Sequence, residues 1–238
     1  MSLPRFFLPA ADASRAEDLV ALDPTQARHA NVLRLKPGDA LEVVLGSGIW
    51  RAELAAGSKD RAQARLVARL EEDCEPPVPI VIWLPVTAQL SLVDDMLPPL
   101  VELGATLLQP VVYARSEYEA RKALPRVDRW RRLVAAACEQ SHRTRIPVLG
   151  EPVPFEALLE VDLPQKWVAY ERPTSDPNPA FERRAIALTT GPEGGITEGE
   201  YEALRRTGWQ TVSLGRSILR AVTAPAALLG AVQYELAR

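Results

Sequence analysis

LTTGPEGGITEGEYEALRRTGWQTVSLGRSILRAVT, Leu188 to Thr223, holds two strand-to-loop junctions, each rich in glycine and each followed by a helix signal. The first, Thr189-Thr190-Gly191-Pro192-Glu193-Gly194-Gly195, follows an apolar run from Ala185. The second, Ser213-Leu214-Gly215-Arg216-Ser217-Ile218-Leu219-Arg220, follows a strand reading at Gln210–Leu214. In open α/β sheets ligands bind beyond the carboxyl ends of strands, where glycine lets backbone amides approach closely. No Lys-Ser or Lys-Thr pair closes the first loop and no GxGxxG fingerprint is present, so the pattern favours a ligand read by backbone hydrogen bonds without a phosphate cradle. A plain tight turn is the alternative. At the second junction Leu214, Ile218 and Leu219 are expected to form an apolar slot with Arg216 and Arg220 beside it; the alternative gives the arginines to a helix C-terminus.

Working outward, Thr197 with Glu200 reads as a capping box for a helix ending at Gly208, and a last helix starts near Thr223. Upstream, Ile80–Val86 is a continuous apolar run suited to a strand buried on both faces. A helical segment follows to Leu103, Gly104 stops it, and Leu107–Tyr113 is the next strand. Pro125 opens a helix through Trp130, Leu133, Val134, Ala137 and Cys138 to about Ser141. Val153–Glu160 reads as a short helix and Trp167–Tyr170 as a strand. This alternation implies an open, mostly parallel sheet covered by helices.

Before Glu71-Glu72-Asp73-Cys74-Glu75-Pro76-Pro77, an acidic and then proline-rich linker, the grammar differs. Arg5–Leu8 is a short strand. Asp23, Pro24 and Gln26 open a helix to about Arg34. Leu41–Leu45 and Ile49–Leu54 pair around Gly46-Ser47-Gly48, and Ala64–Leu70 adds an alternating strand. Residues 1–72 are thus a small barrel-like or sandwich-like β module, and 73–238 an α/β domain.

With 238 residues, 47% of them hydrophobic, the chain has material for sizeable cores. No run approaches the roughly 18 apolar residues of a membrane span, and the first residues do not read as a signal peptide, so a soluble protein is expected. Two cysteines far apart, Cys74 and Cys138, outline neither a disulfide framework nor a zinc site and fit a reduced, cytoplasmic protein. Cys138 reads as core rather than nucleophile, and His29 and His142 do not make a metal site. The net charge of −3 argues against generic polyanion binding. One stretch departs from it: residues 115–145 carry nine Arg or Lys against four Asp or Glu, which is either a solvated helix face or a local basic patch. Within it, Ala137–Pro147 (ACEQSHRTRIP) offers hydrogen-bond donors at a helix end for phosphates or base edges.

These motifs, with RFFL at Arg5–Leu8, HANVLRLKPGD at His29–Asp39, ELGA at Glu102–Ala105, GPEGGITEGE at Gly191–Glu200 and VSLGRSILR at Val212–Arg220 followed by Thr223-Ala224, span almost the whole chain. Together they resemble the RsmE family of 16S ribosomal RNA uridine N3-methyltransferases, in the SPOUT superfamily. The resemblance implies a PUA-like RNA-binding β-barrel domain and an α/β methyltransferase domain with a deep trefoil knot at about 186–225. It further implies S-adenosylmethionine as cofactor, 16S rRNA of the small subunit as partner, a cytoplasmic homodimer, and no metal. By position it makes Thr190, Gly191, Gly195, Leu214, Gly215, Ile218 and Leu219 the cofactor residues. Arg5, Arg34, Arg143 and Arg145 become the RNA contacts. Arg220 is the expected catalytic group, a cation that stabilises charge developing on a uracil carbonyl as N3 loses its proton; flipping exposes the base. The acidic overall charge favours a preformed ribonucleoprotein surface as substrate.

Two departures stand out. Where the family reads Thr-Glu-Thr-Ala after ILR, this chain has Ala221-Val222-Thr223-Ala224. The helix before ELG lacks the family's lysines and carries Pro98-Pro99, expected to kink or shorten it. The alternative function is therefore a knotted RNA-binding or ribosome-assembly protein with weak or lost transferase activity. A nucleotide-binding oxidoreductase is disfavoured by the missing phosphate motifs.

Overall fold

The computed structural model describes residues 3–8, 11, 13–46, 48–58, 61–71, 74–170 and 179–238. Ser47 of the expected turn and Glu72 and Asp73 of the expected linker lie outside the described residues. The chain divides into two compact units, one of residues 1–75 with 138–145 and the other of 76–137 with 146–238.

In the first unit, β1 (Arg5–Leu8), β2 (Leu19–Leu22), α1 (Pro24–Val32), β3 (Ala40–Leu45), β4 (Gly48–Ser58) and β5 (Arg61–Leu70) follow in order. Their curled five-stranded sheet runs β1-β3-β4-β5-β2 and is antiparallel except for the parallel pair β1 and β3. Alternation on β5 buries Ala62, Ala64 and Leu66 with Phe6, Leu41, Val43 and Ala52 in one core. The capping box of α1 forms as its sequence dictates: Asp23 Oδ1 accepts from Thr25 N at 2.7 Å and Gln26 N at 2.9 Å, and Gln26 Oε1 accepts from Asp23 N at 3.2 Å. Strand β2, absent from the sequence reading, is four residues long and half exposed, too short for its alternation to stand out.

The second unit adds β6 (Ile80–Pro85), α2 (Leu90–Glu102), β7 (Leu107–Val112), α3 (Ala120–Ala123), α4 (Val127–Gln140), β8 (Val148–Leu149), β9 (Val153–Pro154), α5 (Glu156–Leu159), β10 (Gln165–Ala169), β11 (Ile186–Thr190), α6 (Glu198–Arg206), β12 (Gln210–Val212) and α7 (Ala224–Leu236). Residues of α4 from Cys138 onward group with the first unit. The sheet order is β12-β10-β11-β6-β7-β8, with β9 also on β7, and every pairing is parallel. β6 leads to β7 on one side while β10 to β12 lie on the other, so the order reverses between β6 and β11. That reversal is where open parallel sheets leave a crevice at their carboxyl ends.

Helix α2 is not shortened as expected: it continues past Pro98 and Pro99 to Glu102, although each proline removes a donor to the carbonyl four residues back. Burial of Val93, Met96, Leu97, Leu100 and Val101 outweighs that loss, as tertiary packing commonly does. The helix expected at Val153–Glu160 is instead the short strand β9 followed by the single turn α5.

Candidate active site

At the end of β11, all five residues are buried. Thr189 Oγ1 donates to Trp83 O at 2.8 Å and lies 2.6 Å from the Tyr113 hydroxyl. Burial pushes that hydroxyl far above its ordinary range, so Tyr113 stays a neutral phenol and a fixed hydrogen-bonding partner. The next hydroxyl behaves differently: Thr190 Oγ1 is buried and has no partner among the described residues. A buried polar oxygen without a partner at the carboxyl end of a central strand is unusual.

The loop after it is tightly made. A Cβ on Gly191 would meet Ile196 Cγ1 at 2.9 Å and Ile196 N at 3.1 Å, so no other residue fits without displacing backbone. Gly195 N donates to Pro192 O at 2.9 Å, with Gly195 at φ 73, a conformation that favours glycine. The loop is also held from β7's end: Arg115 donates to Gly194 O at 3.0 Å, and Ala114 N donates to Glu200 Oε1 at 2.7 Å. Glu200 closes the α6 capping box as well, accepting from Thr197 N at 2.9 Å and Thr197 Oγ1 at 2.7 Å. The capping pattern was legible in sequence, but the second role of Glu200, 86 residues from Ala114, was not.

The second junction is open. Gly215 has φ 112 and its N–H donates to Ser213 Oγ at 3.4 Å. Leu214 and Leu219 are half-buried, while Ile218 is 82% exposed, so these three side chains do not by themselves close the expected apolar slot. Arg216 and Arg220 are exposed. The Arg220 carbonyl accepts from Thr223 N at 2.9 Å and Ala224 N at 3.0 Å, which fixes its backbone at the start of α7 and leaves its guanidinium projecting. Thr190, Gly191 and Gly195 on β11's loop and Leu214, Gly215, Ile218 and Leu219 after β12 thus follow strands of one parallel sheet with the same direction.

The RNA-contact expectations divide. Arg5 and Arg143 are each 3% exposed and are structural, not RNA-facing. Arg5 Nε donates to Glu42 Oε2 at 2.8 Å and its NH1 donates to His142 O and Arg143 O. Arg143 grips the Glu75 carboxylate with Nε and NH2, and Glu75 Oε1 accepts from Thr144 N at 2.8 Å and Arg145 N at 2.9 Å. Burial raises the Glu75 carboxyl, but the Arg143 and Thr144 hydrogen bonds outweigh it and hold the group below its ordinary range. Glu75 is therefore no solvated linker residue but the anion around which 143–145 folds. Arg34, at φ 58 just past α1, and Arg145 are exposed. Cys138 is fully buried, and desolvation pushes its thiol up to about 12, which removes it as a nucleophile. Among the described residues no group of three or more His, Cys, Asp or Glu is placed to hold a metal, and no helix is long and apolar enough to cross a membrane.

Residues 74–233 match the model of the RNA methyltransferase domain, and residues 22–67 that of the RNA methyltransferase PUA domain. The chain belongs to this RNA methyltransferase family. Among relatives of this methyltransferase, the ribosomal RNA small subunit methyltransferase E of Synechocystis is 33% identical over 92% of this chain and 74% of its own. The Bacillus subtilis protein of the same name is 31% identical over 86% and 85%. Among solved structures, the ribosomal RNA small subunit methyltransferase E of Neisseria gonorrhoeae bound to S-adenosyl methionine superposes with a TM-score of 0.85 at 32% identity, covering 98% of both chains. The curled N-terminal sheet of this methyltransferase is accordingly PUA-like, and its parallel-sheet unit is the transferase.

Proposed function

We propose that this chain transfers the methyl group of S-adenosylmethionine to N3 of a uridine in 16S rRNA of the small ribosomal subunit. The observation that carries the reading is the Thr189–Ile196 loop, where a buried hydroxyl without a partner and a glycine with no room for a Cβ sit at the switch point of a parallel sheet. Backbone groups there suit an amino-acid-plus-adenosine ligand that carries no phosphate better than a polyphosphate. The gonococcal relative, bound to S-adenosyl methionine, supports that choice. In this reading Thr190, Gly191, Gly195, Leu214, Gly215, Ile218 and Leu219 hold the cofactor, whose sulfonium supplies an activated methyl carbon. The chain acts as a cytoplasmic homodimer, with residues 1–72 as the RNA-binding domain, 73–238 as the transferase domain and 186–225 tied in a trefoil knot.

As the new N–C bond forms, the bond between the methyl carbon and sulfur breaks to leave a neutral thioether, and the uracil N3 proton passes to solvent. Arg220, exposed and held at its backbone, places a cation that stabilises the negative charge developing on a ring carbonyl. Arg34 and Arg145 contact the RNA. Comparison of N3-methyluridine in ribosomal RNA from cells with and without the gene tests the reaction; equal amounts overturn it. One observation favours a second reading, RNA binding in ribosome assembly without efficient transfer: half-buried Val222 stands where the resemblance places an acid.

A further inference from the structure

The first unit contains a cavity of about 780 Å³ that the cofactor site does not use. It opens where β3 ends, β4 begins and β5 ends, and it is completed by Thr144 and Arg145 of the 138–145 segment. We infer that this groove seats a single unpaired nucleotide of the RNA substrate, with Arg69 and Arg145 on its phosphodiester; the inference rests on the proposed action on RNA.

Three features point to this occupant. The volume lies within the range of about 300–1,000 Å³ typical of small-ligand sites, enough for one nucleotide and too little for a duplex. Val44, Ile49 and Leu70 give it apolar wall for a base. The cations are placed by the backbone: Gly48 has φ 123, and a Cβ there would meet Arg69 Nε at 3.1 Å and NH2 at 3.3 Å. Absence of a side chain at Gly48 therefore leaves the space in which the Arg69 guanidinium lies. Its plane offers both a phosphate fork and a stacking surface, as unstacked bases require.

Charge decides between a nucleotide in a strand and a free one. Arg5 and Arg143 in this unit are neutralised by Glu42 and Glu75, whereas Arg69 and Arg145 meet no carboxylate among the described residues. Glu71 is the one acid among the lining residues, against two arginines, a balance of +1. That balance matches the single charge of a phosphodiester and leaves a nucleoside triphosphate undercompensated. On a chain of net charge −3, such a groove selects RNA by an unpaired nucleotide rather than by overall attraction.

The test uses the full chain and a labelled single-stranded RNA of about ten nucleotides from small-subunit rRNA, with binding followed by anisotropy across a salt series. Arg69→Ala and Arg145→Ala are each expected to weaken binding on the order of tenfold and to lower the log–log salt slope by about one, with the double variant losing about two. Melting temperature and the KM for S-adenosylmethionine stay at wild-type values, because both side chains are exposed. Should a variant fail to fold, Arg69→Gln and Arg145→Gln make the same test with less loss of packing. An unchanged slope in a folded double variant, no binding by the unaltered chain, or displacement of the oligonucleotide by lower concentrations of ATP or GMP would each overturn the assignment. Methyl transfer measured on the same preparations separates the two readings. Arg69-dependent binding without transfer keeps the groove and removes the enzymatic reading, while normal transfer with unchanged slopes does the reverse.

Discussion

Two arginine-bearing segments of this methyltransferase use the same side chain for opposite ends. In 138–145, Arg143 is buried against Glu75, and Arg5 reaches in from β1 to the carbonyls of His142 and Arg143. In 213–223, Arg216 and Arg220 are exposed, and the Arg220 backbone carbonyl is tied down by Thr223 N and Ala224 N. Both segments belong to motifs that carry the family resemblance, yet burial assigns Arg143 of the first to folding and leaves Arg145 beside it, with both arginines of the second, available to a substrate. A basic motif is therefore not by itself a nucleic-acid contact; the decisive fact is whether a carboxylate from elsewhere in the chain has already met the charge.

The largest effect expected from this contrast is on stability. Arg143→Ala leaves the Glu75 carboxylate buried without its cation, a loss of about 3–5 kcal/mol measurable by urea denaturation. Replacing Arg220 inverts the pattern: Arg220→Ala keeps stability within about 0.5 kcal/mol but lowers kcat on the order of a hundredfold, with the KM for S-adenosylmethionine unchanged. A variant that bound cofactor and methylated at the normal rate would remove Arg220 from the mechanism.

A third prediction concerns pH. Burial, and then the charge of Asp23, push the Glu139 carboxyl up to about 7 from an ordinary 4.5. Because the folded value is the higher one, the protonated carboxyl favours folding below about 4.5, and that contribution disappears as pH rises to about 7. Glu139→Gln should raise stability at pH 8 by about 1–2 kcal/mol, after allowance for solvent screening, and leave it unchanged at pH 4. Glu75 has the opposite sign: its contribution is present above its ordinary 4.5 and is lost only as pH falls below that. Smallest of all, Arg34→Ala should leave melting unaffected and lower the salt slope of RNA binding by about one.

What was legible in the sequence was local. Both capping boxes, Asp23 with Gln26 and Thr197 with Glu200, form as read, because their partners lie three residues apart. The parallel sheet followed from apolar runs alternating with helical ones. The misplaced residues were those whose partners lie far along the chain: Arg143 meets Glu75 across 68 residues, and Arg5 meets Glu42 across 37. Periodicity carries no information about such pairs, so Glu75 read as linker and both arginines as free. The same reasoning explains Pro98-Pro99, where the local penalty was visible and the buried face that overrides it was not. Nothing local marks Arg69, one residue of an alternating strand, as a ligand group, since its position over Gly48 depends on the pairing of β4 with β5.

Purified protein, S-adenosylmethionine carrying an isotopically labelled methyl group, and small ribosomal subunits lacking the modification should yield labelled N3-methyluridine on nucleoside mass spectrometry, in an amount approaching one per 16S rRNA. Label on another atom of the base or ribose, or no label in RNA that the protein demonstrably binds, would contradict the account.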